Sequence, residues 1–213
     1  MILPKMILFD LGGVIEQISP SNVASAFKRL GMDNPERFFS LEGQSQLCED
    51  FELGKVSSSD FVSSIQKKLP SATHQQIIDA WNSNLLGVAA ETTQVLQTLR
   101  MRGHQLFALS NTNALHFEKI KMQFLALQGF PFCYLFDQVF VSYEIGLRKP
   151  TRAFFTYVLE ALFLGASPGE AIFIDDIAVN TASARALGLQ VHTHLINSSI
   201  SYLLSGSSDI CKE

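Results

Sequence analysis

The sequence predicts an α/β fold: a parallel sheet interrupted, after its first strand, by a helical insertion. Three observations predict it. Short apolar runs recur at Met6–Phe9, Gln105–Leu109, Gln138–Val141, Ala171–Ile174 and Gln190–Thr193, and helical patterns separate most of the later four. Such alternation implies parallel strands joined by right-handed crossovers. Between the first two runs, residues 16–86 carry only helical periodicity. Finally, polar groups directly follow the runs: Asp10 after the first, Ser110 after the second, Asp175 and Asp176 after the fourth. Parallel strand ends share one edge, where open α/β sheets hold their ligands.

Composition narrows the class. A chain of 213 residues suits one domain with an insertion, drawn here as a core of 1–15 plus 87–213 and an insertion of 16–86. Hydrophobic residues make up 47% and charged residues 17%, and 17 phenylalanines predict an aromatic interior. A net charge of -4 gives no support to a nucleic-acid partner. The apolar runs are too short for a membrane span, which needs about 18 residues. The N-terminus has the pattern of a buried strand rather than a signal peptide. Cys48, Cys133 and Cys211 are odd in number and widely spaced, which argues against a disulfide framework and a zinc site. A cytoplasmic setting is expected.

The elements follow in order. Met6–Phe9 is the first strand, and Gly12-Gly13 turns the chain after Asp10. A helix runs from Asn22 with Val23, Ala26, Phe27 and Leu30 on one face, stopped by Gly31. Pro35 starts a short apolar stretch with Phe38 and Phe39, and Leu47, Phe51 and Leu53 form another before Gly54. Ser57 to Asp60 offer caps for a helix carrying Phe61, Ile65 and Leu69. Ile77, Ile78 and Trp81 close the insertion. Thr92 is expected to cap a helix with Val95, Leu96 and Leu99 inward. The second strand ends in Ser110-Asn111-Thr112, and a helix from about Ala114 to Leu127 follows, with Thr112 as a cap. The third strand leads to Arg148-Lys149-Pro150, and Thr151 caps a helix bearing Phe154, Phe155, Val158 and Leu162. A small-residue helix from Ala178 to Leu187 links the fourth strand to the fifth. Ile200–Leu204 is a last short helix, and the polar tail from Ser205 is expected to fray.

Each polar strand end has a local explanation as a helix cap or turn. Together, Asp10, Ser110, Lys149, Asp175 and Asp176 would bring three carboxylates and one ammonium into one crevice. Carboxylates held close raise one another's pKa, so the set favours a bound cation. All-oxygen donors suit magnesium better than zinc. The hydroxyl and backbone N–H groups near Ser110, with Lys149, could hold a phosphoryl group.

These residues resemble the haloacid dehalogenase (HAD) superfamily, in a subfamily IA-type phosphatase form. The resemblance covers nearly the whole chain: Phe9-Asp-Leu-Gly-Gly-Val14, Leu109-Ser-Asn-Thr112, Arg148-Lys-Pro150 and Ile172-Phe-Ile-Asp-Asp176, each in the family's order. It implies a Rossmannoid HAD-like core, with residues 16–86 as a C1 cap. It also implies a magnesium-dependent phosphatase acting on a small phosphorylated metabolite, a sugar phosphate being one candidate. By resemblance Asp10 is the nucleophile and a metal ligand, the Gly12 carbonyl a further ligand, and Asp176 a direct ligand with Asp175 direct or through water. Ser110 and Asn111 would hold the phosphoryl group, and Lys149 would neutralise it and position Asp10. Arg148 is expected at the surface or facing substrate.

One departure stands out. The family's usual Asp-x-Asp motif is here Asp10-Leu-Gly12, so the second carboxylate, the general acid/base, is missing. An acid/base group typically contributes about 10²–10⁴-fold. Asp-x-Gly-Gly-Val resembles a subgroup that includes bacterial sugar-phosphate phosphatases, and good leaving groups need less protonation. His116, a few residues after Ser110, is the first candidate for a substrate contact or substitute proton carrier. Glu16, Gln17 and Glu42 could face substrate. Two alternatives stay open: a non-catalytic HAD-like binding protein, and a 2-haloacid dehalogenase, for which a metal-free pair of adjacent aspartates would be costly.

Overall fold

The computed structural model describes residues 3–39, 45–162 and 167–205. Five parallel strands form the main sheet: β1 (Met6–Phe9), β4 (Gln105–Ser110), β5 (Gln138–Val141), β6 (Ala171–Asp175) and β7 (Gln190–Thr193), in the order β5-β4-β1-β6-β7. All five are the strands the apolar runs predict. Central β1 is buried at every position, and its side chains alternate between two cores. Ile7 and Phe9 meet Val95, Leu96 and Leu99 of α6 (Ala90–Met101) and Phe117, Ile120 and Phe124 of α7 (Ala114–Gln128). Met6 and Leu8 meet Phe154, Phe155 and Val158 of α9 (Arg152–Leu162) and Ala184 of α10 (Ala178–Arg185). The sheet is therefore covered on both faces, as parallel sheets require. A short α8 (Ser142–Ile145) follows β5, and α11 (Tyr202–Ser205) follows β7.

The insertion holds α1 (Pro20–Arg29), α2 (Pro35–Phe39), α3 (Gln46–Glu52), α4 (Ser58–Gln66) and α5 (His74–Asn82). Its apolar faces bury one another in a third cluster around Phe27, Phe51, Phe61, Ile65, Ile77 and Trp81. Aromatic stacking organises it: Phe27 lies 4.4 Å from Phe39 and Phe51 lies 4.2 Å from Phe61, centroid to centroid. Ser57 caps α4 by accepting the Asp60 N–H, and Thr73 with Gln76 forms a capping box on α5.

The structure departs from the sequence reading in several places. The insertion enters and leaves through an antiparallel ribbon, β2 (Glu16–Ile18) against β3 (Leu85–Val88), where helical or turn structure was expected. Strands this short, paired across some 70 residues of chain, leave no periodicity to read. Thr92 lies inside α6, whose N-cap is Ala89, because the backbone turns helical two residues earlier. Asn113, not Thr112, caps α7 by accepting the His116 N–H. The last helix begins at Tyr202 rather than Ile200. Glu42, Cys211 and the tail beyond 205 lie outside the described residues. Among the described residues, no helix is long and apolar enough to cross a membrane.

Candidate active site

Strand register sets the site. Phe9 is level with Ala108 on one side and Ile174 on the other, and the Asp10 N–H still bonds the Ile174 carbonyl at 2.8 Å. Asp10 and Asp175 therefore leave the sheet side by side, next to Ser110 at the end of β4. Asp10, Ser110 and Asp175 are all buried.

Lys149 lies at the centre, 1% exposed. Its Nζ reaches Asp10 Oδ1 at 2.9 Å, Asp175 Oδ2 at 2.6 Å and the Leu109 carbonyl at 2.9 Å. Three acceptors match the three ammonium protons. Burial works against the charged lysine, but Asp10 and Asp175 outweigh it and its pKa is raised. The Asn111 amide fixes this lysine's backbone from both sides, donating to the Lys149 carbonyl at 2.8 Å and accepting its N–H at 2.9 Å. The Asn111 side chain is thereby engaged with the Lys149 backbone, with one Nδ2 proton and its own backbone N–H left for other partners.

The two adjacent aspartates differ sharply. Asp175 accepts from Lys149, from the Ile177 N–H at 2.8 Å, and from Asn180 Nδ2 at 3.0 and 3.1 Å. Asp176 has a buried Oδ1 with no hydrogen-bond partner. Burial, then the neighbouring Asp175, push Asp176 up to about 6. Asp10 is pushed up to about 8, first by burial and then by Asp175 and Asp176, against the pull of Lys149. Oxygens of Asp10, Asp175 and Asp176 lie within 4.8 Å of one another. Such a set either binds protons or binds a cation. The all-oxygen donors and the orphaned Asp176 Oδ1 fit a hard divalent ion such as magnesium.

Both glycines of the first motif are informative. A Cβ on Gly13, where φ is +82°, would sit 2.5 Å from Asp176 Oδ2, so only glycine lets the chain pass that carboxylate. A Cβ on Gly12 would meet only Ile18, at 3.6 Å, so the position has room for a side chain.

Other expectations change. His116 Nε2 is 3.1 Å from the Trp81 carbonyl and Nδ1 is 3.2 Å from Asn113 Nδ2, while the ring stacks on Trp81 at 4.8 Å. Burial pushes it down to about 4. It clasps the insertion to the core, with no nitrogen left for substrate or for proton transfer near neutral pH. Asn113 Oδ1 joins that clasp by accepting the Trp81 indole N–H at 3.2 Å. Arg148 pairs with Glu49 at 3.4 Å and Glu52 at 3.3 Å, both on α3, rather than facing substrate. Glu16 is buried in the ribbon and accepts the Gly87 N–H at 2.6 Å, and burial pushes it up to about 7.

Sequence reasoning missed Asn180, Asn113 and Ser142. Ser142 Oγ lies 2.7 Å from the Glu52 carbonyl and 3.0 Å from the Thr112 carbonyl, and accepts the Thr112 N–H at 3.0 Å. Asn180 had only its place in the first turn of the helix after Asp175-Asp176 as a signal. Ser142 had none, because its partners are backbone atoms of distant loops.

An ammonium set between two carboxylates at the edge of a parallel sheet, with a third carboxylate beside it, defines a HAD-type centre. The chain belongs to the haloacid dehalogenase-like hydrolases, whose family it matches over residues 4–188. It is similar to a D-ribitol-5-phosphate phosphatase of Bacteroides thetaiotaomicron, 26% identical, covering 87% of this chain and 89% of that one. It is also similar to a sesquiterpene phosphatase of Aspergillus oryzae, 29% identical and covering 91% of each. A solved HAD family enzyme of B. thetaiotaomicron, in complex with magnesium and inorganic phosphate, superposes with a TM-score of 0.85 at 29% identity, covering 94% of this chain and 98% of that one.

Proposed function

We propose that the protein is a magnesium-dependent phosphatase that hydrolyses a small phosphorylated metabolite through an aspartyl-phosphate on Asp10. The observation that carries this reading is the orphaned Asp176 Oδ1 beside the Asp10–Lys149–Asp175 cluster, a donor set that calls for a hard cation. Two curated relatives named as phosphatases support it. Magnesium, held by Asp10, Asp176 and the Gly12 carbonyl, would offset negative charge on the phosphoryl oxygens. Asp175 stands behind it as the group that fixes Lys149.

The chain's own residues supply the rest. Asp10 Oδ1 is held by the Leu11 N–H at 2.6 Å and Lys149 at 2.9 Å, which orients the other oxygen for attack on phosphorus. A bond forms from Asp10 to phosphorus as the ester P–O bond breaks. Ser110 and the backbone of Asn111 bind the transferred group. Water then attacks phosphorus and returns Asp10 as carboxylate. Residues 16–86 serve as a cap that closes over the crevice and excludes solvent. The free thiols of Cys48 and Cys133 agree with a reducing, cytoplasmic setting.

Gly12 brings no proton, and His116 is engaged elsewhere, so the leaving group departs with little acid help. The enzyme is therefore slow, or restricted to good leaving groups. A steady-state assay with 4-nitrophenyl phosphate tests the reading: turnover should need magnesium and stop in EDTA. A protein that binds a phosphate mimic such as beryllofluoride yet turns over no phosphate ester would be a binding module instead, which Gly12 alone would favour.

A further inference from the structure

We propose that the crevice lip formed by the loops after β6 and β7 binds an apolar chain, so that the substrate is an amphiphilic phosphomonoester rather than a sugar phosphate. This rests on the phosphatase reading above and names the substrate class for the same site.

The bonds described above between α1–α5 and the core run to residues 111–116 and 142–148, beyond the ends of β4 and β5, while the ribbon is tied to the β7 side, through Ile18 and Asn197. Trp81 with Asn113 and His116, Glu52 with Ser142, and Arg148 with Glu49 and Glu52 fasten that side. Strand order puts β6 and β7 on the opposite side of β1. There the loop after β6 carries Ile177, the first turn of α10 carries Val179, and the loop after β7 carries Leu195 and Ile196, exposed at 40%, 56%, 74% and 45%. Lone exposed aliphatics are ordinary, but four on adjoining segments at the mouth of a site mark a contact surface.

The two loops are adjacent. The His194 N–H bonds the Asp175 carbonyl at 2.9 Å, and the Thr181 and Thr193 hydroxyls are 2.9 Å apart. They also border the reactive end. A Cβ on Gly13 would lie 2.8 Å from Asp176 Cγ and 3.1 Å from Ile196 Cγ1, so the metal-binding carboxylate and the apolar lip meet over one glycine.

The polar groups of this lip are already engaged. The Asn197 amide holds the Ile18 N–H at 2.9 Å and the Ile18 carbonyl at 2.8 Å, and Asn180 holds Asp175. No Asp, Glu, Lys or Arg occurs from Ile177 to Ala184 or from Ala186 to Ser208. A sugar's hydroxyls would lose water here without replacement partners. A hydrocarbon chain loses nothing polar and covers exposed methyl groups.

The test keeps the leaving group constant and varies the chain: a series of 4-alkylphenyl phosphates from methyl to octyl, with magnesium. The expected result is kcat/KM rising by roughly two- to fourfold per added methylene over the first few carbons, the upper value being that for full burial. Leu195→Ser and, at the start of α10, Val179→Ser should each flatten that slope. Leu125→Ser, at an exposed apolar position on α7, should leave the slope as in the wild type. All three positions are at least half exposed, and circular dichroism checks that each variant folds. A flat wild-type series with good turnover overturns the proposal while leaving the phosphatase reading intact. So does a polyol phosphate that outperforms the octyl compound. Absence of turnover on every phosphate, the methyl compound included, overturns the phosphatase reading itself.

Discussion

The floor of the crevice and the insertion above it are held together by opposite means. On the floor, charges are buried and bonded to one another: Lys149 joins Asp10, Asp175 and a carbonyl, and Asn180 completes Asp175. In the insertion, stacked aromatics make the core, and among the described residues of its helices Trp81, Glu49 and Glu52 bond down to Asn113, His116, Ser142 and Arg148. A floor of this kind tolerates no substitution, because each group is the partner that makes its neighbour's burial bearable. An apolar roof tolerates many, provided volume is kept. On the phosphatase reading proposed above, the chemistry would belong to the floor, and the insertion and the rim would set access and preference.

The sharpest way to break this contrast is at Lys149. Lys149→Met keeps the volume but leaves Asp10 and Asp175 without their shared cation. Turnover should fall by about 10²–10³-fold, and unfolding free energy by about 3–5 kcal/mol. Urea unfolding read beside kinetics checks both, and near-normal values for either would mean the floor is not a mutually dependent set. Next is Gly12→Asp, which restores an acid/base where the backbone has room. Turnover of a poor alkyl leaving group should rise, by up to the ~10²–10⁴ that such groups contribute, while an aryl phosphate gains much less. If the wild type is already fast on alkyl phosphates and the variant adds nothing, the account of Gly12 is wrong.

Ser142→Ala probes the junction. It leaves the Thr112 N–H and the Glu52 carbonyl without their partner, for a loss of about 1–3 kcal/mol. KM should rise several-fold while kcat stays nearly constant, since the insertion shifts and the floor does not. A kcat loss as large as that of Lys149→Met would erase the distinction between the two regions.

The smallest effect on activity lies in the ribbon. Burial raises Glu16 from 4.5 to about 7, so the folded state favours its neutral form. Its contribution is fully present below pH 4.5 and is lost as pH rises through 7, an amount on the order of 3 kcal/mol. Glu16→Gln keeps an acceptor for the Gly87 N–H and removes the charge. The variant should match the wild type near pH 4.5 and exceed it at pH 8 in thermal unfolding, with activity little changed. An equal difference at both pH values would show that the carboxyl titrates normally.

The floor was largely legible in the sequence, the roof much less so. Five apolar runs located all five main strands, and a polar residue after a strand needs only the parallel arrangement to join the others at one edge. Asp10, Lys149, Asp175 and Asp176 could be gathered that way. The ribbon β2–β3 could not, because its strands are short and its pairing distant. His116 looked available from its place beside Ser110, but its ring belongs to Trp81, a partner 35 residues back. The sequence also could not show that the Asn111 amide holds the Lys149 backbone, a partner 38 residues on. Position along the chain shows which residues come near the site. It does not show which of their atoms are already bonded.

The central claim is that Asp10 becomes phosphorylated. Acid-quenching the enzyme during turnover of 4-nitrophenyl phosphate, then reducing with borohydride, converts an aspartyl-phosphate to homoserine for detection by peptide mass spectrometry. The account predicts homoserine at position 10, dependent on magnesium and absent without substrate. Sustained turnover with position 10 unmodified, or with the modification on another residue, would contradict it.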